Sequence, residues 1–214
     1  MKALVIGDIH ASLDKVIDLP YKSVEKVILL GDLLHGGNGA LGEDVVDWFM
    51  GMEDKVELVL GNHEILPIIC WKRGGQWSME DVVKWDYGCR GEGKEDKILR
   101  IHGECIQDVA RLGDARMKWL ASGKAKLIYG NKEFYHARKG RGMEVWEDEG
   151  NEWFGMAVKG ELDIGGKEIW VGHENVKKWS KGEWKFKQRC NGVVTCLDWG
   201  VKKGGELGWE IIDI

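Results

Sequence analysis

Three stretches decide the fold: ALVIGDIH at residues 3–10, VILLGDLLHGG at 27–37 and VELVLGNHE at 56–64. Each is a short apolar run that halts at glycine followed by a polar residue: Asp8, Asp32 or Asn62. Between them, Leu13–Leu19 and Glu43–Phe49 carry helical patterning. The order is strand, helix, strand, helix, strand, and helical crossovers join parallel strands. In open parallel sheets, ligands gather beyond the carboxyl ends of the strands. Three polar clusters from distant sequence positions should therefore converge on one edge.

Downstream, residues 65–126 read as helical and charged, with a glycine-rich hinge at Gly88–Gly93 and a helical stretch at Lys97–Leu112. We expect a cap-like helical insert at about 65–126 within a single domain spanning 1–214. The last third is strand-rich: Lys126–Tyr129, Glu133–His136, Met156–Val158, Glu168–Val171, Val193–Leu197 and Trp209–Ile214. Gly165-Gly166 reads as a hairpin turn between two of these runs, and Gly204-Gly205 as another turn. The expected class is α/β, a two-sheet β-sandwich flanked by helices around the βαβαβ core.

Composition narrows the function. A chain of 214 residues suits one domain with a sizeable core. Its 43% hydrophobic and 31% charged residues exclude a disordered chain. A net charge of −5 argues against extensive nucleic-acid binding. No apolar run is long enough to span a membrane, and the run at Ala3–Ile6 is too short for a signal core. The five cysteines contain no C-x-x-C, so reduced thiols and a cytoplasmic location are expected. Nothing in the sequence explains the twelve tryptophans beyond packing area; Trp71, Trp77 and Trp85 are read as packing residues rather than a substrate groove.

Histidine placement carries the chemistry. Five of six histidines (His10, His35, His63, His136 and His173) lie at the ends of predicted strands. His102 lies inside a helical stretch and is read as packed or solvated. The spacing Asp8-x-His10 puts a carboxylate and an imidazole on one side of an extended segment, where both can reach one metal. Asp32 supplies a second carboxylate able to bridge two ions, and Asn62, His136 and His173 would complete the second. This mixed oxygen and nitrogen set suits Mn²⁺, Fe or Zn²⁺ better than Mg²⁺ or Ca²⁺.

The blocks G-D-I-H, G-D-x-x-x-x-G, G-N-H-E, F-Y-H-A, V-G-H and the closing D-x-G…G-G-x-L, running in order from residue 3 to about 212, resemble the calcineurin-like metallophosphoesterases. Within them they resemble the phosphoprotein phosphatase branch, which includes compact bacterial and phage protein phosphatases and diadenosine tetraphosphate hydrolases. The resemblance implies that Asp8, His10 and Asp32 hold one metal, while Asp32 bridges to a second held by Asn62, His136 and His173. It implies two divalent ions, Mn²⁺ foremost with Fe, Zn²⁺ and Ni²⁺ as alternatives, holding a hydroxide for in-line attack. His63 would protonate the leaving oxygen, so His63 and Asp32 are the catalytic candidates.

One block departs from the family. Its usual G-D-x-x-D-R-G reads here with His35 for the acid that orients the catalytic histidine and Gly36 for the phosphate-gripping arginine. His35 is the candidate orienting residue. Arg73 and Arg138 are candidates, with Asn62, for phosphate binding. Asp198 is read as capping the closing hairpin. The expected function is a two-metal hydrolase of phosphomonoesters, a Ser/Thr or broad-specificity protein phosphatase whose partner is a phosphorylated protein or nucleotide. The alternatives are a dinucleoside polyphosphate hydrolase or other phosphodiesterase, and a non-catalytic metal-binding scaffold.

Overall fold

The computed structural model describes residues 1–74, 94–136, 163–173 and 186–214. Strands β1 (Lys2–Ile6), β2 (Lys26–Leu29) and β3 (Val56–Leu58) are joined by helices α1 (Leu13–Val16) and α2 (Glu43–Met50). They pair in parallel, Leu4 opposite Val27 and Val27 opposite Val56. The polar residues after all three strands thus emerge at the same sheet edge. The last strand, β8 (Trp209–Asp213), runs antiparallel beside β1 and closes the sheet in the order β3-β2-β1-β8.

A second sheet, ordered β4-β5-β6-β7, is built from β4 (Lys126–Tyr129), β5 (Lys132–Tyr135), β6 (Asp163–Val171) and β7 (Phe186–Cys196). Strands β4 and β5 form an antiparallel hairpin; β5, β6 and β7 are parallel. The strand run expected at Met156–Val158 lies outside the described residues. Gly165-Gly166 does not form the expected hairpin. Both glycines sit inside β6 with φ of 63° and 75°, where the register against β7 shifts between Asp163 and Lys167. The left-handed backbone that suggested a turn is spent on a bulge instead.

Two apolar layers explain why the leading strands read as continuous apolar runs. Ala3, Val5, Ile28, Leu30 and Val59 face the second sheet and pack with Leu127, Phe134, Trp170 and Leu197. The alternate residues Leu4, Ile6, Val27, Leu29 and Leu58 pack with Val45, Val46 and Phe49 of α2. A strand covered on both faces has no polar side to show. The rings of Phe134 and Trp170 stack between the sheets with centroids 5.2 Å apart.

Helix α3 (Asn62–Lys72) starts directly after β3, and α4 (Lys94–Leu120) packs against it, broken at Gly113 where φ is 69° and ψ 169°. Leu112, Met117 and Leu120 of α4 are buried in the same cluster as α2. Within the expected insert, α4 is therefore part of the core layer. Arg111 pairs with Glu43 and Arg116 with Asp47, tying α4 to α2 at the surface. The glycine-rich stretch 88–93 lies outside the described residues. No helix among the described residues is long and apolar enough to cross a membrane.

Candidate metal centre

The ends of β1, β2, β3, β5 and β6 place Asp8, His10, Asp32, Asn62, His63, His136 and His173 around one point. Asp32 lies at the middle. Its Oδ2 is 3.7 Å from His10 Nε2 and 3.8 Å from His63 Nε2, while its Oδ1 is 3.3 Å from His136 Nε2. Ligand atoms of His10, Asp32 and His63 lie within 4.8 Å of one another, and those of Asp32, His136 and His173 do likewise. Asp8 Oδ2 is 3.9 Å from His10 Nε2, and the same carboxylate accepts the His173 backbone N–H at 2.9 and 3.0 Å. Asn62 Oδ1 lies 3.2 Å from His136 Nε2 and 3.1 Å from His173 Nδ1.

Backbone carbonyls set the imidazole tautomers. His10 Nδ1 lies 3.2 Å from Leu34 O, and His136 Nδ1 lies 2.6 Å from Leu30 O. A carbonyl only accepts, so each Nδ1 carries the proton and each Nε2 turns a lone pair to the centre. His136 Nε2, Asp32 Oδ1 and Asn62 Oδ1 are thus three acceptors gathered together, with the His63 backbone N–H donating to Asp32 Oδ1 at 3.1 Å and His173 Nδ1 beside the other two. That donor set fits divalent cations, and the split of Asp32 between two groups fits a bridging carboxylate.

Electrostatics agree with geometry. Burial, then Asp198 and Asp32, push the Asp8 carboxyl well above its usual range. Burial pulls His136 down to about 4 and His63 down to about 3, each opposed by Asp32. Burial would also raise Asp32, but His136, His63, His10 and His173 together hold it well below the carboxylate range. Crowded buried carboxylates beside neutral imidazoles are what a cation would stabilise.

The backbone bends sharply here. Among the described residues, five non-glycine residues have positive φ, and four of them are His10, Asp32, His35 and His173, with φ of 47°, 51°, 64° and 60°. Such strain persists only where the surroundings over-determine it. Gly172 illustrates how: a Cβ there would collide with Asp8 Oδ1, so only glycine lets His173 N–H reach that carboxylate.

Three residues absent from the candidate set help build the site. Glu64, fully buried, accepts N–H bonds from Gly61 (2.9 Å), Asp32 (2.8 Å), Leu33 (2.8 Å) and Leu34 (3.2 Å). It belongs to the G-N-H-E block, and its place at the third residue of α3 was its sequence signal. Lys202 Nζ approaches His63 Nε2 to 3.4 Å from the closing turn. Asp108 on α4 lies 2.8 Å from His35 Nε2, while His35 Nδ1 lies 2.7 Å from His63 Nδ1. An acid on the same helical stripe as Cys105 and Leu112 was its signal.

Other expectations fall elsewhere. Arg73 caps the far end of the eleven-residue α3, about 16 Å from Asn62 at 1.5 Å per residue, and the structure does not bring it to the centre. Arg138, Trp77 and Trp85 lie outside the described residues, and the side chain of His102 does too. Trp71 hydrogen-bonds Asp114 and packs on the core edge. Asp198 accepts the Gly200 N–H at 2.9 Å, the expected capping contact.

Residues 1–195 match the family model for the calcineurin-like phosphoesterases. The zinc-dependent endopolyphosphatase of Saccharomyces cerevisiae is 35% identical over 86 residues, covering 37% of this chain and 24% of the relative. The symmetrical bis(5'-nucleosyl)-tetraphosphatase of Escherichia coli is 37% identical over 70 residues, covering 30% and 24%. The matched regions thus span about a quarter of the length of these curated relatives. A crystal structure provisionally assigned as a diadenosine tetraphosphatase superposes with a TM-score of 0.65 at 15% identity, covering 99% of this chain and 89% of that one. A metallophosphoesterase from Sphaerobacter thermophilus superposes with a TM-score of 0.56 at 14% identity, covering 100% and 84%. At such identities the likeness is one of fold.

Proposed function

Because this chain belongs to the calcineurin-like phosphoesterase family, we propose that its centre hydrolyses phosphate esters or anhydrides with two divalent ions, Mn²⁺ foremost. Asp8, His10 and Asp32 hold one ion; Asp32, Asn62, His136 and His173 hold the other. When bound, such a pair supplies an activated water and a clamp for the phosphoryl oxygens. The observation that carries the reading is Asp32, whose Oδ2 faces His10 and His63 and whose Oδ1 faces His136.

The chain's own residues do the rest. Asn62, His63 and His173 are the members of the centre that solvent reaches, so substrate enters on their side. His63 Nε2, 3.8 Å from Asp32 Oδ2, is placed to take up a proton from water and pass it to the leaving oxygen as the P–O bond breaks, the oxygen keeping the bonding electron pair. Lys202 supplies the positive charge that Gly36 lacks. As a flexible ammonium it attracts phosphate without the planar grip of arginine.

The expected protein phosphatase activity remains one substrate reading. The dinucleoside polyphosphate alternative is favoured by the names of the curated relatives, both of which denote phosphoanhydride substrates. The experiment is hydrolysis by chelator-stripped protein with and without Mn²⁺. p-Nitrophenyl phosphate establishes the reaction; diadenosine tetraphosphate, inorganic polyphosphate and a phosphoserine peptide then sort the substrates. Metal-restored turnover, fastest on an anhydride, supports the reading. Turnover confined to the phosphopeptide would return it to a protein phosphatase. No turnover with Mn²⁺, Fe²⁺, Zn²⁺ or Ni²⁺ would leave the non-catalytic scaffold.

A further inference from the structure

We propose that Asp108 is a positioning residue for His63, acting through His35, and that the three form a directed hydrogen-bond chain replacing the acid this chain lacks at position 35. The proposal rests on the reading of His63 as the proton donor.

The direction of the chain follows from its two ends. Lys202 Nζ carries only donors, so at 3.4 Å it turns a donor toward a bare His63 Nε2. His63 therefore keeps its proton on Nδ1. That nitrogen is 2.7 Å from His35 Nδ1, which must be bare to accept it. His35 then carries its proton on Nε2, 2.8 Å from Asp108 Oδ2, and an ionised carboxylate only accepts. A donor-only group at one end and an acceptor-only group at the other leave one arrangement of protons. It holds the proton-transferring face of His63, Nε2, toward the metal ligands.

Placement supports a purpose for Asp108. It is 7% exposed, and its helix turns Cys105 and Leu112, 4% and 1% exposed, to the same side. A carboxylate on an apolar stripe is costly unless hydrogen-bonded, and His35 makes that bond. His35 is itself held at φ 64°, a conformation disfavoured for a residue with a Cβ. The contact spans 73 residues of sequence, so no local pattern around position 35 reveals it.

Held by its Nδ1–H donation to His35, His63 keeps Nε2 turned to the centre, and Asp108 anchors His35 from behind. The Asp108→Asn amide can turn either its oxygen or its NH₂ to His35 Nε2, so His35 is no longer held to one tautomer, and the 3.4 Å Lys202 contact alone is left to keep the His63 proton on Nδ1.

The test compares Asp108→Asn with the unaltered protein, both loaded with Mn²⁺, on phenyl phosphate and p-nitrophenyl phosphate. Outer partners of a working imidazole are typically worth about 10–100-fold. We expect kcat on phenyl phosphate to fall in that range with KM nearly constant, and kcat on p-nitrophenyl phosphate, whose leaving group needs little protonation, to fall far less. His35→Asp combined with Asp108→Ala should recover much of the loss by restoring a direct acid. In the chelator-stripped protein, ¹H–¹⁵N imidazole correlations should show His63 protonated on Nδ1, and a mixed tautomer in Asp108→Asn. Equal losses on both substrates, no loss, or an unchanged His63 tautomer would overturn the proposal. An unaltered protein that hydrolyses neither substrate yet shows the expected tautomer would overturn the phosphoesterase reading and leave the hydrogen-bond chain standing.

Discussion

Lys202 shows how far residue identity alone reaches. The candidates for the missing arginine were Arg73 and Arg138, chosen for their nearness in sequence to ligand blocks. Arg138 lies outside the described residues and Arg73 sits at the far end of α3; among the described residues, a cation that meets His63 comes from Lys202, 139 residues away. Sequence proximity has little bearing on which side chains meet beyond the end of a parallel sheet. Strand-end position does, which is why Asp8, His10, Asp32, Asn62, His63, His136 and His173 were all legible: each directly follows a run that had to be a strand. If Lys202 holds phosphate, Lys202→Met should raise KM for p-nitrophenyl phosphate several-fold and leave kcat within about twofold, since an exposed-side charge contact is worth about 1 kcal/mol. A fall in kcat with unchanged KM would place Lys202 in the chemistry instead.

At the scale of elements, the crossover order was legible because β1, β2 and β3 are buried on both faces and connected by amphipathic helices. The Gly165-Gly166 bulge was not, because a positive φ serves a turn and a bulge equally well. The depth to which α4 enters the core was also hidden, since Met117 and Leu120 declare themselves apolar without saying what covers them. Glu64 joins two elements: it pins the loop after β2 to the first turn of α3 through four backbone N–H groups. Burial, then Asp32, raise its carboxyl to about 7, against the pull of those same N–H groups. Glu64→Gln replaces one acceptor oxygen by a donor and strands at least one buried N–H. It should lower stability by about 1–3 kcal/mol in denaturant unfolding, with weaker metal binding because Asp32 and His63 both move. Unchanged stability would mean that this loop is held by something else.

For the whole molecule, two sheets and their helices converge on a centre that gathers acids with neutral imidazoles. Metal binding should therefore stabilise the fold. The pH dependence follows from which groups must lose protons. His136, already pulled down to about 4, is neutral well below neutral pH and offers no competition. Asp8, raised well above its usual range, must give up its proton to bind. The rise in Tm on adding Mn²⁺ should accordingly grow as pH increases from about 5 to 7.5. The central claim, two ions shared across Asp32, is tested most directly by Mn²⁺ stoichiometry in the chelator-stripped protein, read by metal analysis after equilibrium dialysis at pH 7.5. Two ions per chain, falling to one or fewer in His136→Ala and to none held tightly in Asp32→Ala, is the expected result. A single ion per chain that persists in Asp32→Ala would contradict it.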